Sequence, residues 1–186
     1  MESNTATAAP AAREHAPLVI DEAALRAATD DLDDGPVTPS LMPWRDDIVK
    51  LLNDALATEL VCVLRYRRHH FTAKGLASPA IAEEFLVHAN EELAHADKIA
   101  ERINELGAEP DFAPAGLTER SHADYDESSD LKDMIRANLK AERIAVESYR
   151  QMIKLVEGKD PTTQRMLEEI LTDEEEHADE LRGWLE

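Results

Sequence analysis

Glu174-Glu175-Glu176-His177-Ala178-Asp179, near the end of the chain, repeats the frame of Glu92-Leu93-Ala94-His95-Ala96-Asp97. A lone Glu precedes each copy at nearly the same distance, Glu59 by 33 residues and Glu142 by 32. Each lone Glu is followed, two helical turns on, by a tyrosine, Tyr66 or Tyr149. If all four segments are helices of one bundle, four carboxylates and two imidazoles converge on its centre. That is the ligand set of a carboxylate-bridged di-metal site.

In so acidic a chain a Glu-x-x-His can arise by chance, and a third copy, Glu119-Arg120-Ser121-His122, does occur. It sits in a stretch bearing Pro and Gly, and the position 33 residues before it is Leu86. Ordinary solvated charge explains Glu175 and Glu176 but not the duplicated spacing.

The 186 residues suffice for one domain with a sizeable core. Few aromatics, only six Gly and abundant Ala, Leu, Glu and Arg predict an all-α protein. A net charge of -20 repels phosphate backbones and gathers cations, so no nucleic-acid partner is expected. The single Cys62 excludes an intramolecular disulfide, no stretch is long and apolar enough for a membrane span, and the N-terminus lacks a basic and apolar leader. These features predict a cytoplasmic protein with no membrane partner.

Residues 1–42, with eight acidic residues against Arg13 and Arg26, are expected to form a flexible acidic tail with at most a short helix over Asp21 to Leu32. Residues 43–186 carry four long helical patterns, about Pro43 to Ala73, Pro79 to Leu106, Asp130 to Glu157 and Pro161 to Trp184. Between the second and third lie about twenty-two residues. A connection of that length suits a crossover along the bundle, leaving the second and third long helices parallel.

Glu59, Glu92, His95, Glu142, Glu174 and His177 are the candidate metal ligands. Four ionised Glu balance two divalent cations, so binding should stabilise the fold. Oxygen and imidazole donors without thiolate suit iron or manganese, with zinc a competitor. Two cations about 3.5 to 4 Å apart suit reduction of O2 or H2O2. Tyr66 and Tyr149 are read as core residues hydrogen-bonded to a ligand or as one-electron donors. Cys62 is read as a small core residue and His88 as a satisfied histidine rather than an iron-transfer group with Glu91. His69 and His70 look like a polar helix end and His122 like a loop residue.

These residues resemble the ferritin-like superfamily, and within it bacterioferritin, over about residues 48 to 182. The resemblance implies a left-handed four-helix bundle whose di-iron ferroxidase centre, two irons per subunit, oxidises Fe(II) and feeds a mineral store inside a hollow homo-oligomer. Bacterioferritins bind haem through a Met at the position of Leu93, so no haem is expected. Only nine residues follow His177, leaving no room for the fifth helix of twenty-four-subunit cages. The short end and long crossover look more like Dps-type or Dps-like twelve-subunit shells. The rival expectation is a small-oligomer di-iron peroxidase or oxygenase that stores no iron, and a third is a structural bundle holding zinc.

Overall fold

A computed structural model describes residues 18–186. The described residues form six helices and no strand: α1 Glu22–Ala27, α2 Met42–Thr72, α3 Ser78–Glu105, α4 Leu117–Arg120, α5 Leu131–Val156 and α6 Pro161–Gly183. The four long ones follow the predicted patterns closely. Their ends have local causes. Pro43 and Pro79 sit in the first turns of α2 and α3, where a missing N–H costs nothing. The Asp130 and Asp160 side chains accept from the first free amides of α5 and α6. Gly107 ends the α3 hairpin side at φ +71°, a conformation natural to glycine.

α2 packs chiefly on α3, and α5 on α6, giving two hairpins. The Arg45 guanidinium at the start of α2 donates to the carbonyls of Leu106 (2.8 Å) and Gly107 (2.5 Å), so α3 ends where α2 begins. The crossover then runs back along α2. Its Asp111, His122, Asp124 and Ser128 meet Asn53, Thr58, Arg65 and Arg68 in that order. Fifteen residues of helix span about 22 Å, so the connection covers much of the bundle length and starts α5 parallel to α3. Arg102 fixes the other end, donating to both oxygens of Asp160 (3.1 and 2.8 Å) and to Thr163 Oγ1 (2.9 Å), which sets the start of α6 against the end of α3.

The apolar core is in two blocks. One gathers Leu52, Leu56, Ile99, Ile103, Tyr149 and Ile170; the other gathers Tyr66, Ile81, Phe85, Met134 and Leu181. The six candidate ligands fall between them in sequence on every helix. Val37 and Leu41, in the segment expected to lie outside the bundle, are buried in the first block, while residues 1–17 of the expected tail lie outside the described residues. No helix among the described residues is long and apolar enough to cross a membrane.

Candidate metal centre

Residues three, four and seven apart share a helix face, so each long helix can aim several polar groups at one point. α2 brings Glu59, α3 Glu92 and His95, α5 Glu142, and α6 Glu174 and His177, all at most 3% exposed. They form two groups in which each residue offers a ligand atom within 4.8 Å of the others: Glu59, Glu92, His95 and Glu174, and Glu92, Glu142, Glu174 and His177. Glu92 and Glu174 belong to both. They could bridge two cations, with Glu59 and His95 terminal on one and Glu142 and His177 terminal on the other.

His95 Nδ1 lies 3.2 Å from Glu174 Oε1, 3.5 Å from Glu59 Oε2 and 3.6 Å from Glu92 Oε2. His177 Nδ1 lies 3.8 Å from both Glu92 Oε1 and Glu142 Oε2. The outer nitrogens are held by half-exposed carboxylates, His95 Nε2 by Asp173 (3.1 Å) and His177 Nε2 by Glu91 (3.0 Å). An Nε2–H donated outward leaves each Nδ1 lone pair pointing inward. Glu59 Oε2, Glu92 Oε1, Glu142 Oε2, both Glu174 oxygens and both Nδ1 atoms are buried without a hydrogen-bond partner. Orphaned polar atoms are costly in a protein interior, and divalent cations satisfy this whole set at once.

The carboxylates are not electrostatically equal. Burial, reinforced by the charges of Glu174, Glu142 and Glu59, pushes Glu92 well above the usual carboxylate range, and burial with Glu59 and Glu142 does the same to Glu174. Burial also opposes ionisation of Glu142, but the close approach of His177 and Glu174 and the charges of His177 and Arg65 hold it down at about 2. Glu59 is lowered against burial chiefly by His95, whose own value is lifted, again against burial, to about 11 by Glu59 and Glu92. Divalent cations entering this centre must displace protons.

The tyrosines cross over. Tyr66 O–H donates to Glu142 Oε1 and Tyr149 O–H to Glu59 Oε1, so each phenol holds the lone Glu of the other half and not the one seven residues before it. Burial first, then these carboxylates, raise both phenols well above the ordinary value and keep them donors.

Three buried residues surround Tyr66, and of these spacing alone marked His88, one turn before Glu92, as a neighbour of the centre. Arg65 is fully buried; its Nε donates to Asn138 Oδ1 (2.8 Å), its Nη1 to the Asp124 carbonyl (3.2 Å), and its Nη2 lies 4.0 Å from Glu142. His69 is no exposed helix end: its Nδ1 accepts from Asn138 Nδ2 (3.1 Å) and its Nε2 lies 3.3 Å from Asp126. Glu59, Cys62, Tyr66 and His69 recur at spacings of three, four and three, which was the available signal. His88 is buried, stacked on His177 with ring centroids 4.1 Å apart. Cys62 packs with Ala123 and Ala141, its thiol pushed by burial to about 12. His70 and His122 remain apart from the centre, His122 exposed in the crossover.

Residues 49–186 match the family described as Ferritin, ferritin-like domain. The chain belongs to the ferritin family. Among its relatives, this ferritin-like protein is 29% identical to a bacterioferritin of Desulfovibrio desulfuricans over 134 residues, 70% of this chain and 69% of that one. It is 32% identical to a nutrient stress-induced DNA-binding protein of Synechococcus over 130 residues, 68% of this chain and 74% of that one. Among solved structures it resembles a dodecameric thioferritin, the bacterioferritin-related protein of Bacteroides fragilis, with 31% identity, a TM-score of 0.73, and coverage of 76% and 85% of the two chains. The Dps protein of Vibrio cholerae shares the fold at 20% identity and a TM-score of 0.74, covering 77% and 92%.

Proposed function

We propose that this ferritin-like protein is a ferroxidase: it takes Fe(II) as substrate at the two-position centre within each subunit, oxidises it, and stores the product iron in a hollow homo-oligomer of twelve subunits. The observation that carries the reading is the pair of four-residue groups sharing Glu92 and Glu174, with their inward atoms unpartnered. Two Fe(II) ions give up two electrons, enough to reduce O2 to H2O2 or H2O2 to two waters. The chain's own residues do the rest. Glu92 and Glu174 hold the two ions together, and Glu59, His95, Glu142 and His177 hold each from outside. Tyr66 and Tyr149 fix the free oxygens of Glu142 and Glu59. Asp173 and Glu91 keep both imidazoles turned inward.

All six ligands are at most 3% exposed, which favours small ions and a two-atom oxidant over an organic substrate. The oligomer is supported by the dodecameric relative and by exposed apolar side chains such as Phe71, Leu64 and Leu155. Leu155 also lines an open groove of about 770 Å³ with Leu51, Leu139 and Ile144. A chain carrying -20 is not proposed to bind DNA, whatever its Synechococcus relative does.

The test adds Fe(II), well beyond two per chain, to metal-free protein with O2 or H2O2, and passes the product through a sizing column with light scattering while iron and protein are followed together. Many irons eluting with a shell are expected. About two irons on a small species, with the excess precipitating, would overturn storage.

A further inference from the structure

We propose that Glu84, His88 and Glu180 form a third divalent-cation site, outside the two-position centre, that hands Fe(II) from the surface inward. The hand-over rests on the ferroxidase reading; the site itself does not.

Hydrogen-bond bookkeeping around His88 leads there. Tyr66 gives its hydroxyl hydrogen to Glu142, so toward His88 Nδ1, 3.1 Å away, its oxygen is an acceptor. Nδ1 must carry the ring hydrogen, and Nε2 of the neutral ring keeps its lone pair. That lone pair meets no donor. It faces Glu180 Oε2 at 2.9 Å and Glu84 Oε1 at 3.7 Å. Three electron-rich atoms from α3 and α6 thus converge on one point. Neighbouring ligands of one divalent ion, each about 2.1 Å from it, stand roughly 3 to 3.5 Å apart, and the two observed distances bracket that range. A cation satisfies all three atoms at once.

The site is open on one side and closed on the other. The Glu84 and Glu180 side chains are 27% and 43% exposed, whereas His88 is fully buried. Beside it, His88, the half-exposed Glu91 and His177 form another group with ligand atoms within 4.8 Å of one another. Successive sets therefore share a histidine: Glu84, His88 and Glu180; then His88, Glu91 and His177; then His177 with Glu92, Glu142 and Glu174. At His177 the ion changes from Nε2, which gives up its hydrogen beside Glu91, to Nδ1, beside Glu92 and Glu142. Among the described residues, the outer nitrogen of His95 meets one carboxylate, Asp173, with no second histidine beyond it.

The test titrates metal-free full-length protein with Co(II) under argon, by calorimetry and by elemental analysis after dialysis, alongside the Glu84→Gln, Glu180→Gln double variant. Both changes are at accessible side chains and leave the buried ligands in place. Three Co(II) per chain in the parent and two in the variant are expected. In crystals soaked with Mn(II), anomalous density at His88 Nε2 is expected in the parent alone. Two Co(II) in both proteins would overturn the site, leaving His88 and Glu180 as a plain ion pair, and three in both would place the third ion elsewhere. With limiting Fe(II) and O2, the variant's initial oxidation should slow by about tenfold; an unchanged rate would overturn the hand-over. Failure of the parent to oxidise Fe(II) while binding three Co(II) would remove the ferroxidase reading and leave the third site standing. Rapid oxidation with two Co(II) bound would do the reverse.

Discussion

Around Tyr66 the neighbouring positions are Arg65, His69, His88, Asn138 and Glu180; around Tyr149 the positions matched by the repeat are Ser148, Met152, Ile170, Ala55 and Lys98. The ligand figure is duplicated and its setting is not. Two cations of like charge would demand the same donors on both sides, which accounts for six candidate ligands and two phenols that mirror each other. Nothing in that demand reaches the next layer. At the Tyr149 end the next layer is an apolar block with Leu56, Ile99 and Ile170, and the phenol has one hydrogen-bond partner, Glu59. At the Tyr66 end it is a polar network leading from Glu142 through Tyr66 and His88 to Glu180 at the surface. One end of the centre is sealed and the other is wired.

The largest effects should respect the symmetry. Glu92→Ala or Glu174→Ala removes a ligand shared by both positions, so each should lose both ions in a Co(II) titration and slow Fe(II) oxidation by more than about a hundredfold in stopped flow, with the helices intact by circular dichroism. Unchanged oxidation in both variants would break the ligand assignment itself.

The next effects should expose the asymmetry. Arg65→Met strips partners from buried Asn138 and Glu142 and should cost about 3 to 5 kcal/mol in urea unfolding. Ser148→Ala, at the matching place, should cost less than about 0.5 kcal/mol. Equal costs would mean the polar network is not what distinguishes the two ends. Tyr66→Phe deprives both Glu142 and His88 of a partner, Tyr149→Phe deprives Glu59 alone. A lost hydrogen bond to a charged group is worth about 1.5 to 3 kcal/mol; Tyr66→Phe should be the more damaging of the two in the same unfolding assay.

The smallest effect concerns the caps of α5 and α6, which repeat the contrast. Asp130 caps α5 in the open, whereas Asp160 caps α6 in a buried pair with Arg102. Burial would raise Asp160, but hydrogen bonds from Thr163 and Arg102 and the Arg102 charge hold it below its ordinary 3.8. A folded-state value below the unfolded one contributes stability that is present above about pH 3.8 and is lost as pH falls through the folded value. The urea midpoint should therefore drop below pH 4, and Asp160→Asn, which keeps the cap, should flatten that drop.

The bundle and the convergence of the six candidate ligands could be read from the sequence because both rest on periodicity within one helix. Glu92 and His95 are neighbours by spacing alone, and Asp130, Asp160 and Gly107 mark helix ends by local chemistry. What could not be read depends on partners more than fifty residues away. Arg65 and His69 look like part of the basic run with Arg67 and Arg68 until the crossover carbonyl of Asp124 and the Asn138 side chain are brought beside them. The crossed tyrosine bonds follow from how the two hairpins meet, which spacing along each helix does not encode. Lining up the two halves would have given one warning, since His88 stands where the other half has Ile170.

The division of the ligands between hairpins bears on how the protein folds. The α2 and α3 hairpin supplies Glu59, Glu92 and His95, the α5 and α6 hairpin Glu142, Glu174 and His177, and each candidate metal-binding group takes residues from both. Contacts within a hairpin are local and form early; the joining of the hairpins spans the long crossover and comes later. A cation then bridges the two only after the barrier has been passed. Interactions absent from the transition state slow unfolding without hastening folding. Bound metal should act as a latch, lengthening the lifetime of the native bundle while the rate at which the chain finds it stays the same.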